Sequence, residues 1–277
     1  MALSIYKYCC FLALTAFSIV TLSSCEEENS EWVFAEEIDL GEVGIIGIEY
    51  QAESDLLWVS DGDNNRLLKV RRDGSIAEEV EIFRRPMHLS YREGVLYVAE
   101  YGADRVVAVS GEDRIAVPLP QFPDSPAGVD VKGDRMAIAD FYGQQIILIV
   151  GEEDRTFGTE GSGPGEFHYP THVRFQGDKL FVADAYNHRV QVFDSENNHL
   201  LSIGERDDLD AATGLFVDEE SVFVTDFENH RLLIYKHEGE LQQIIAENLK
   251  TPTAVVRHGN ELFVANYQGR SISVFRK

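Results

Sequence analysis

Residues 179 to 193 read Lys179-Leu180-Phe181-Val182-Ala183-Asp184-Ala185-Tyr186-Asn187-His188-Arg189-Val190-Gln191-Val192-Phe193. Two short apolar runs, rich in β-branched and aromatic residues, flank a polar loop, and this composition is typical of two β-strands joined by a turn. The loop opens with Asp184 and closes with Arg189. The segment therefore predicts two strands with an acid at the end of the first and a base at the start of the second.

The first of these runs recurs through the chain. Its six copies are Leu56–Asp61, Val95–Glu100, Arg135–Asp140, Lys179–Asp184, Ser221–Asp226 and Glu261–Asn266. Their closing residues follow one another at intervals of 39, 40, 44, 42 and 40 residues. These intervals match, within a residue or two, the repeat length of four-stranded propeller blades. We therefore predict an all-β chain that folds as a six-bladed β-propeller.

Blade four shows the complete repeat, with short β runs at 172–175, 180–184, 189–193 and 199–203. The first two runs are apolar nearly throughout, as strands packed between neighbouring blades must be, whereas the fourth is polar. This gradient predicts that the first strand of each blade lies innermost and the fourth strand lies at the rim.

The two ends of the chain are predicted to complete the ring. The last blade has only three runs, at 253–256, 262–265 and 272–275, and residues 34–40 match residues 76–82, the fourth strand of blade one. Closing a ring with one strand from each end removes open strand edges. We therefore predict a propeller over residues 32–277 in which the N-terminal segment supplies the fourth strand of blade six.

Residues 1–24 have the short basic start and apolar stretch of a signal peptide. The stretch ends in Leu22-Ser23-Ser24-Cys25, which resembles the bacterial lipobox and implies lipidation of Cys25; the alternative is an ordinary signal peptide ending near a cysteine. The other two cysteines, Cys9 and Cys10, lie in the segment that would be removed. We therefore expect membrane attachment through the lipid on Cys25 and no disulfide-linked partner.

Residues 25–31 form an acidic tether that begins with Glu26-Glu27-Glu28 behind the cysteine. The residue after the cysteine is not the aspartate of lipoproteins retained at the inner membrane, so we expect an outer-membrane location. The acidic run resembles the surface-export signal of Bacteroidota lipoproteins, and a solvated tether is the alternative. The protein would face either the periplasm or the cell surface.

The charge of the chain disfavours nucleic-acid binding. Residues 1–24 contain one base and no acid, so the rest of the chain carries 23 of the 24 bases against all 48 acids, a formal charge of −25. Binding to a phosphate backbone requires a basic face that releases counterions. We therefore expect no nucleic-acid partner.

The motif of an aliphatic strand, Asp, a loop with Asn, Arg and a second strand resembles the NHL repeat. It is clearest in Asp184-Ala185-Tyr186-Asn187-His188-Arg189-Val190 and in Asp226-Phe227-Glu228-Asn229-His230-Arg231-Leu232. Blade three departs with Gln145 in place of the arginine, and blade six shifts its arginine to Arg270. Because the Asp and Arg residues recur in most blades, we expect a structural role in which they hold adjacent loops in register.

Loops that precede each first strand and loops that join the second and third strands open on one face of a propeller, where binding residues are expected. Aromatic residues follow the acidic position in the second set of loops. The candidates for this binding face are Tyr101, Phe141, Tyr142, Tyr186, Phe227 and Tyr267, with Asp140, Asp184 and Asp226 beside them. Such a collar suits a protein, peptide or glycan, and the alternative is that the rings pack between blades.

His88 and His172 occupy equivalent positions before the first strands of blades two and four. They resemble the histidines of peptidyl-hydroxyglycine amidating lyases, six-bladed enzymes that hold zinc on the channel axis, which implies a zinc or calcium ion here. The third equivalent position is Ala254, whereas catalytic zinc normally takes three protein ligands; the candidates to complete the set are Asp184, Asp140, Glu100 and His168. Residues 61–65 offer oxygen atoms for calcium and also fit a tight polar turn.

The function we predict is that of an outer-membrane lipoprotein that presents a propeller face to a protein, peptide or glycan, as an accessory subunit of an envelope complex. The alternative is a metal-dependent lyase, or a lactonase similar to gluconolactonase, with its metal on the propeller axis. A third possibility is a structural spacer. No phosphate-binding loop, serine elbow or thiol nucleophile is found in the sequence after Cys25.

Overall fold

The computed structural model describes residues 31–119 and 121–277. The predicted signal peptide and Cys25, the predicted site of lipidation, lie outside the described residues, as does the predicted tether except for Glu31. Residues Glu31–Lys277 form one compact unit. Its helical content is limited to two 3-10 turns, and within the described residues no helix has the length and apolar character needed to cross a bilayer.

Six antiparallel sheets of four strands form the predicted propeller. Blade one contains β2 to β5 and blade two contains β6 to β9: β2 Ile45–Gln51, β3 Leu56–Asp61, β4 Arg66–Val70, β5 Ile76–Val80, β6 Pro86–Arg92, β7 Val95–Glu100, β8 Arg105–Ser110 and β9 Asp113–Ala116. Blades three and four contain β10 Pro126–Lys132, β11 Arg135–Asp140, β12 Gln145–Val150, β13 Glu153–Phe157, β14 Pro170–Gln176, β15 Lys179–Asp184, β16 Arg189–Phe193 and β17 His199–Ile203. Blades five and six contain β18 Ala212–Val217, β19 Ser221–Asp226, β20 Arg231–Lys236, β21 Leu241–Ile245, β22 Pro252–His258, β23 Glu261–Asn266, β24 Ser271–Arg276 and β1 Val33–Asp39.

The strand from the N-terminal end closes the ring as predicted. β1 pairs antiparallel with β24, with Ile38 opposite Ile272. Trp32, just before β1, extends the closure to blade five, because its backbone N–H and C=O both bond the side chain of Gln243 and its ring packs edge-on against Phe223 at 6.3 Å. The closing segment therefore joins two blades rather than one.

Apolar side chains are buried between blades, in six clusters that each join two neighbouring blades. The first strands of adjacent blades contact one another around the axis. The fourth strands lie outside, and all four residues of β9 are exposed. The apolar inner strands and polar outer strands of the sequence therefore correspond to the positions that the ring gives them.

Candidate binding face and axial histidines

The acid that ends the second strand in blades one to five, and Asn266 in blade six, holds the loop that enters its own blade. In blade four, Asp184 Oδ1 accepts the backbone N–H of His168 at 2.7 Å, and Oδ2 accepts Arg189 Nε at 3.0 Å. The equivalent backbone bonds run from Gly44 to Asp61, from Arg84 to Glu100, from Asp124 to Asp140, from Asp210 to Asp226 and from Lys250 to Asn266, at 2.6–2.9 Å. These contacts agree with a structural role for the repeated acids.

Three of the acids named for the binding face do not reach it. Asp140, Asp184 and Asp226 are at most 1% exposed, because both oxygens of each carboxylate are engaged beneath the loops. Burial raises the pKa of Asp140 and of Asp184 above the ordinary value, although the hydrogen bonds that each accepts oppose this change. A ligand on the face would contact the aromatic residues and not these carboxylates.

A second contact repeats at five of the six junctions between blades of the described chain, and sequence reasoning missed it. Four residues after the acid lies a residue whose backbone has a positive φ angle. Its side chain accepts the backbone N–H of a residue in the next blade that also has a positive φ angle. The pairs are Asn65 with Arg85, Asp104 with Ser125, Gln144 with Tyr169, His188 with Ala211 and His230 with Thr251, at 2.6–3.1 Å. The sequence did contain a signal for this contact, since all five accepting residues carry a side-chain acceptor at one fixed offset from the acid. These bonds offset the cost of left-handed backbone at residues other than glycine.

The two sets of loops meet on one face, where five aromatic rings form a contiguous surface. Tyr101 lies 5.7 Å from Phe141, Phe141 lies 5.0 Å from Tyr142 and stacks on Tyr169 at 4.8 Å, and Tyr169 lies 5.1 Å from Tyr186, all between ring centroids. We call these five residues the aromatic sector. Tyr142 and Tyr186 are 51% and 55% exposed. Because the rings support one another, the sector is a rigid surface that spans blades two to four.

The predicted collar is therefore one-sided. Tyr267 donates its hydroxyl to Asp63 of blade one at 3.0 Å, and Phe227 packs against no aromatic ring of the described residues. Tyr169 joins the sector although the prediction had considered only the other set of loops. Burial and a hydrogen bond with Tyr142 raise the pKa of Tyr101 to about 12, so Tyr101 is uncharged at neutral pH.

His88 and His172 do lie together near the axis, as their positions predicted. Their rings stack at 4.0 Å with an interplanar angle of 12°, and both side chains are buried. Gly128, in the blade between them, has no side chain to separate them, and a Cβ there would meet the Thr171 carbonyl oxygen at 2.5 Å. Gly47 and Gly214 occupy the equivalent positions in blades one and five with similarly close neighbours.

The geometry of this pair does not fit a shared metal ion. His172 Nδ1 accepts the backbone N–H of Leu215 at 3.0 Å, so in the neutral ring Nε2 carries the proton and has no lone pair to give. Lone pairs lie in the ring plane, and two parallel rings direct them alongside one another rather than towards one point.

Within residues 31–119 and 121–277, no three His, Cys, Asp or Glu side chains are grouped to hold a metal. Glu100, Asp140 and Asp184 are engaged with their own loops, and Asn64 donates to both carboxylate oxygens of Asp61, which makes residues 61–65 a tight polar turn.

Charged side chains occupy the axis two residues further along the first strands of the blades. Arg174 of blade four is buried and pairs with Glu49 of blade one, directly across the ring, and with Asp130 of blade three at 3.2 Å. Asp130 also accepts Ser90 Oγ at 2.8 Å and Arg92 at 2.9 Å. Because Arg174 spans the ring at this level, the axis is a packed polar core.

Comparison with known proteins supports the fold and one repeat. The family model for the NHL repeat matches residues 167–193, which lie in blade four. Virginiamycin B lyase from Staphylococcus aureus superimposes with a TM-score of 0.66 at 14% identity, over 89% of this chain and 100% of that chain. A catalytically inactive variant of that lyase, with quinupristin, gives the same values.

A streptogramin B lyase structure superimposes with a TM-score of 0.66 at 17% identity, over 87% of this chain and 86% of that chain. No curated protein matches the chain in sequence. At these identities the likeness establishes the propeller fold, which is shared by proteins of many functions.

Proposed function

We propose that this protein is an outer-membrane lipoprotein, anchored through Cys25, whose aromatic sector binds a peptide, a glycan or a partner protein, as an accessory subunit of an envelope complex. The observation that carries the proposal is the contiguous surface of five rings, two of them more than half exposed. Aromatic rings bury large areas at low entropic cost, and for this reason they are enriched at binding surfaces.

The location of the sector supports a binding role. Its rings are on loops fixed by the repeated acids and by the bonds between neighbouring blades, so the surface is organised before a ligand arrives. The rest of the face is acidic, with Asp63, Asp124 and Asp210 among its loop residues. A neutral or weakly basic ligand with flat apolar faces, such as a sugar ring or an aromatic side chain, fits this surface better than a polyanion.

The binding role is tested with arrays of peptides and of oligosaccharides probed with the purified protein. We expect binding to at least one class and a loss of tenfold or more in the double variant Tyr142→Ala, Tyr186→Ala. Tyr267→Ala, which removes a ring from the opposite part of the same face, is the matched control and should bind as the wild type does. Equal binding by all three proteins would exclude the aromatic sector as the site.

The anchoring role is tested separately. We expect the wild type to incorporate labelled palmitate and to fractionate with the outer membrane, and Cys25→Ser to lose both properties. Retention of the label in the variant would show that Cys25 is not the lipidated residue.

A metal-dependent lyase or lactonase is the second candidate, and the similarity to two lyases of the same fold is the observation that favours it. The enzyme would need a stoichiometric metal, although the stacked rings of His88 and His172 do not offer that metal a shared site. Elemental analysis of protein purified without chelator, beside the variant His88→Ala, His172→Ala, tests this requirement. A metal lost in the variant, together with conversion of quinupristin or a lactone detected by mass spectrometry, would favour the enzyme over the binding protein. A structural spacer would tolerate changes at both sites.

A further inference from the structure

The two most exposed large apolar side chains of the described residues lie in the loops on either side of blade two, one at its entry and one at its exit. Phe122 is 88% exposed in the loop before β10, and Ile82 is 81% exposed in the loop before β6. Ile82 also has a φ of +85°, which is strained for a β-branched residue. A strained backbone that directs an apolar side chain into solvent is unfavourable unless something binds there.

A groove connects these two residues. Cavities of about 240, 470 and 560 Å³ lie side by side and share the side chain of Arg105. Ile82 lines the first two cavities and Phe122 lines the third. We call this continuous depression the Arg105 groove. It overlies the smallest of the six buried clusters, with six buried residues where the others have nine or more, and Val117 and Leu119 beside it are only partly buried.

Arg105 departs from the repeat to which it belongs. In blade four the equivalent Arg189 gives its terminal nitrogens to the carbonyls of Gly163 and Glu166 and to Glu205, and in blade five Arg231 gives them to the carbonyls of Asp207 and Asp208. In the described part of the chain, Arg105 donates only through Nε, to Glu100 at 2.5 Å. Its side chain is 45% exposed, against 6% for Arg189. The terminal nitrogens of Arg105 are therefore available to a ligand in the groove.

Two further arginines line the groove together with three acids. Arg84 and Arg114 form no ion pair with any acid of the described residues. Glu100 accepts the backbone N–H of Arg84 and Arg105 Nε, and Asp104 accepts the backbone N–H of Ser125, so Asp124 is the one lining acid whose carboxylate has no hydrogen-bond partner among the described residues. Three guanidinium groups with open nitrogens beside two exposed apolar side chains therefore form a surface complementary to a carboxylate flanked by apolar groups. An arginine fork recognises carboxylates with high geometric specificity.

We propose that the Arg105 groove docks an extended segment of a partner protein in which an acidic side chain lies next to aromatic or aliphatic residues. The acidic side chain bonds the terminal nitrogens of Arg105, and the apolar residues pack on Ile82 and Phe122. The wall of the groove includes Arg114 and Ala116 of β9, whose outer edge pairs with no other strand of the described residues, so the backbone of an extended segment can pair with it. This site is separate from the aromatic sector and does not depend on the function proposed for it.

The test selects a library of short random peptides displayed on phage against the full chain in detergent. We expect enriched sequences to combine Asp or Glu with an aromatic or aliphatic neighbour, and we expect replacement of the acid by its amide to weaken binding at least tenfold in fluorescence anisotropy. Arg84→Gln with Arg114→Gln and, separately, Phe122→Ser should weaken binding to a similar extent. Leu200→Ser, at an exposed apolar residue of another blade, is the matched control and should have no effect.

Ile82→Gly gives a readout that a purely structural role would not produce. Glycine relieves the strain at positive φ, so this variant should keep or raise the melting temperature while it weakens peptide binding. The double variant Tyr142→Ala, Tyr186→Ala should bind the peptide normally, which separates this proposal from that of the aromatic sector. Enrichment of peptides without acids, no enrichment, binding unchanged in the groove variants, or competition by vesicles of anionic phospholipid or by a second copy of the chain would each overturn the proposal.

Discussion

The imidazole rings of His88 and His172 stack face to face at 4.0 Å, with 12° between their planes, over the position where Gly128 carries no side chain. His88 bonds the backbone of Thr213, and His172 accepts the N–H of Leu215. The charged group nearest the pair is Arg174, two residues beyond His172 on the same strand. Two stacked rings beside a buried cation are stable only when both rings are neutral.

The stack makes the protein sensitive to acid. Burial, followed by the charge of Arg174, lowers the pKa of His88 to about 3, and burial together with His88 and Arg174 lowers the pKa of His172. Between about pH 6.5 and pH 3 the unfolded chain binds a proton at His88 and the folded chain does not, so this stability is present above pH 6.5 and is lost as the pH falls. His88 contributes about 1.4 kcal/mol per pH unit to this slope, and His172 changes the stability in the same direction.

Urea unfolding of the wild type and of His88→Phe at pH 8 and pH 5 measures the contribution. The difference at pH 8 gives the packing cost of the change alone. We expect the variant to lose less stability than the wild type between the two values. An equal loss in both proteins would mean that His88 is protonated in the folded state.

Replacing Arg174 alone, with its buried ionic partners left in place, should strongly reduce the stability of the protein. Arg174→Met leaves the buried carboxylates of Glu49 and Asp130 without their shared cation, and we expect a loss of about 3–5 kcal/mol in the free energy of unfolding. Adding Glu49→Gln removes the uncompensated charge, because Asp130 keeps Arg92 as a partner, and should recover part of this loss. If the double variant were no more stable than Arg174→Met, the penalty would come from packing and not from charge.

Replacing a repeated acid by its amide should reduce stability by different amounts in different blades. Asp140 bonds the neutral Gln145, whereas Asp184 bonds Arg189, which is itself buried. We expect Asp140→Asn to cost about 1 kcal/mol or less, because an amide still accepts the backbone N–H. Asp184→Asn removes the buried ionic partner of the buried guanidinium of Arg189, which keeps only the exposed Glu205, and should cost about 3 kcal/mol or more. Chemical denaturation of the two variants gives the comparison, and equal costs would contradict the role assigned to Arg189.

The closing segment should control the cooperativity of the whole ring. Deletion of residues 32–40 removes the fourth strand of blade six and the Trp32 contact with blade five, and we expect broad, non-cooperative unfolding. Trp32→Ala alone should cost about 3–5 kcal/mol, since a buried indole is removed. Val33→Ser, at an outward-facing residue of the same segment, is the control and should change stability by less than about 0.5 kcal/mol. Calorimetry distinguishes these outcomes, and a sharp transition in the deletion variant would show that the ring does not need β1.

Much of the fold was predictable because the local sequence of each blade carries the pattern of its own strands. The run that ends in Asp184 is one of six copies, and the strands of blade four were predicted to within two residues of those observed. The match of residues 34–40 to residues 76–82 predicted closure by β1, since strands in equivalent positions of a ring carry the same pattern of exposure. The family resemblance was also correct for blade four, where the NHL repeat matches.

The functional surface was predictable only in part. The sequence located the aromatic residues in loops of one face, but it could not show that those of blades two to four touch while Phe227 and Tyr267 stand apart. It ranked Asp140, Asp184 and Asp226 as exposed candidates, because a loop residue is usually exposed, whereas these acids turn inward to bond the loop that enters their blade.

The order and number of the strands, the closure of the ring and the acidic charge were determined by the sequence itself, because they depend on local periodicity and composition. The stacking of His88 on His172, the span of Arg174 across the axis and the open terminal nitrogens of Arg105 were decided by the tertiary structure alone. Each of these depends on which side chains from different blades meet, and on whether a neighbouring loop supplies a partner. Residues that lie some forty or more positions apart in the chain become neighbours only when the ring has closed.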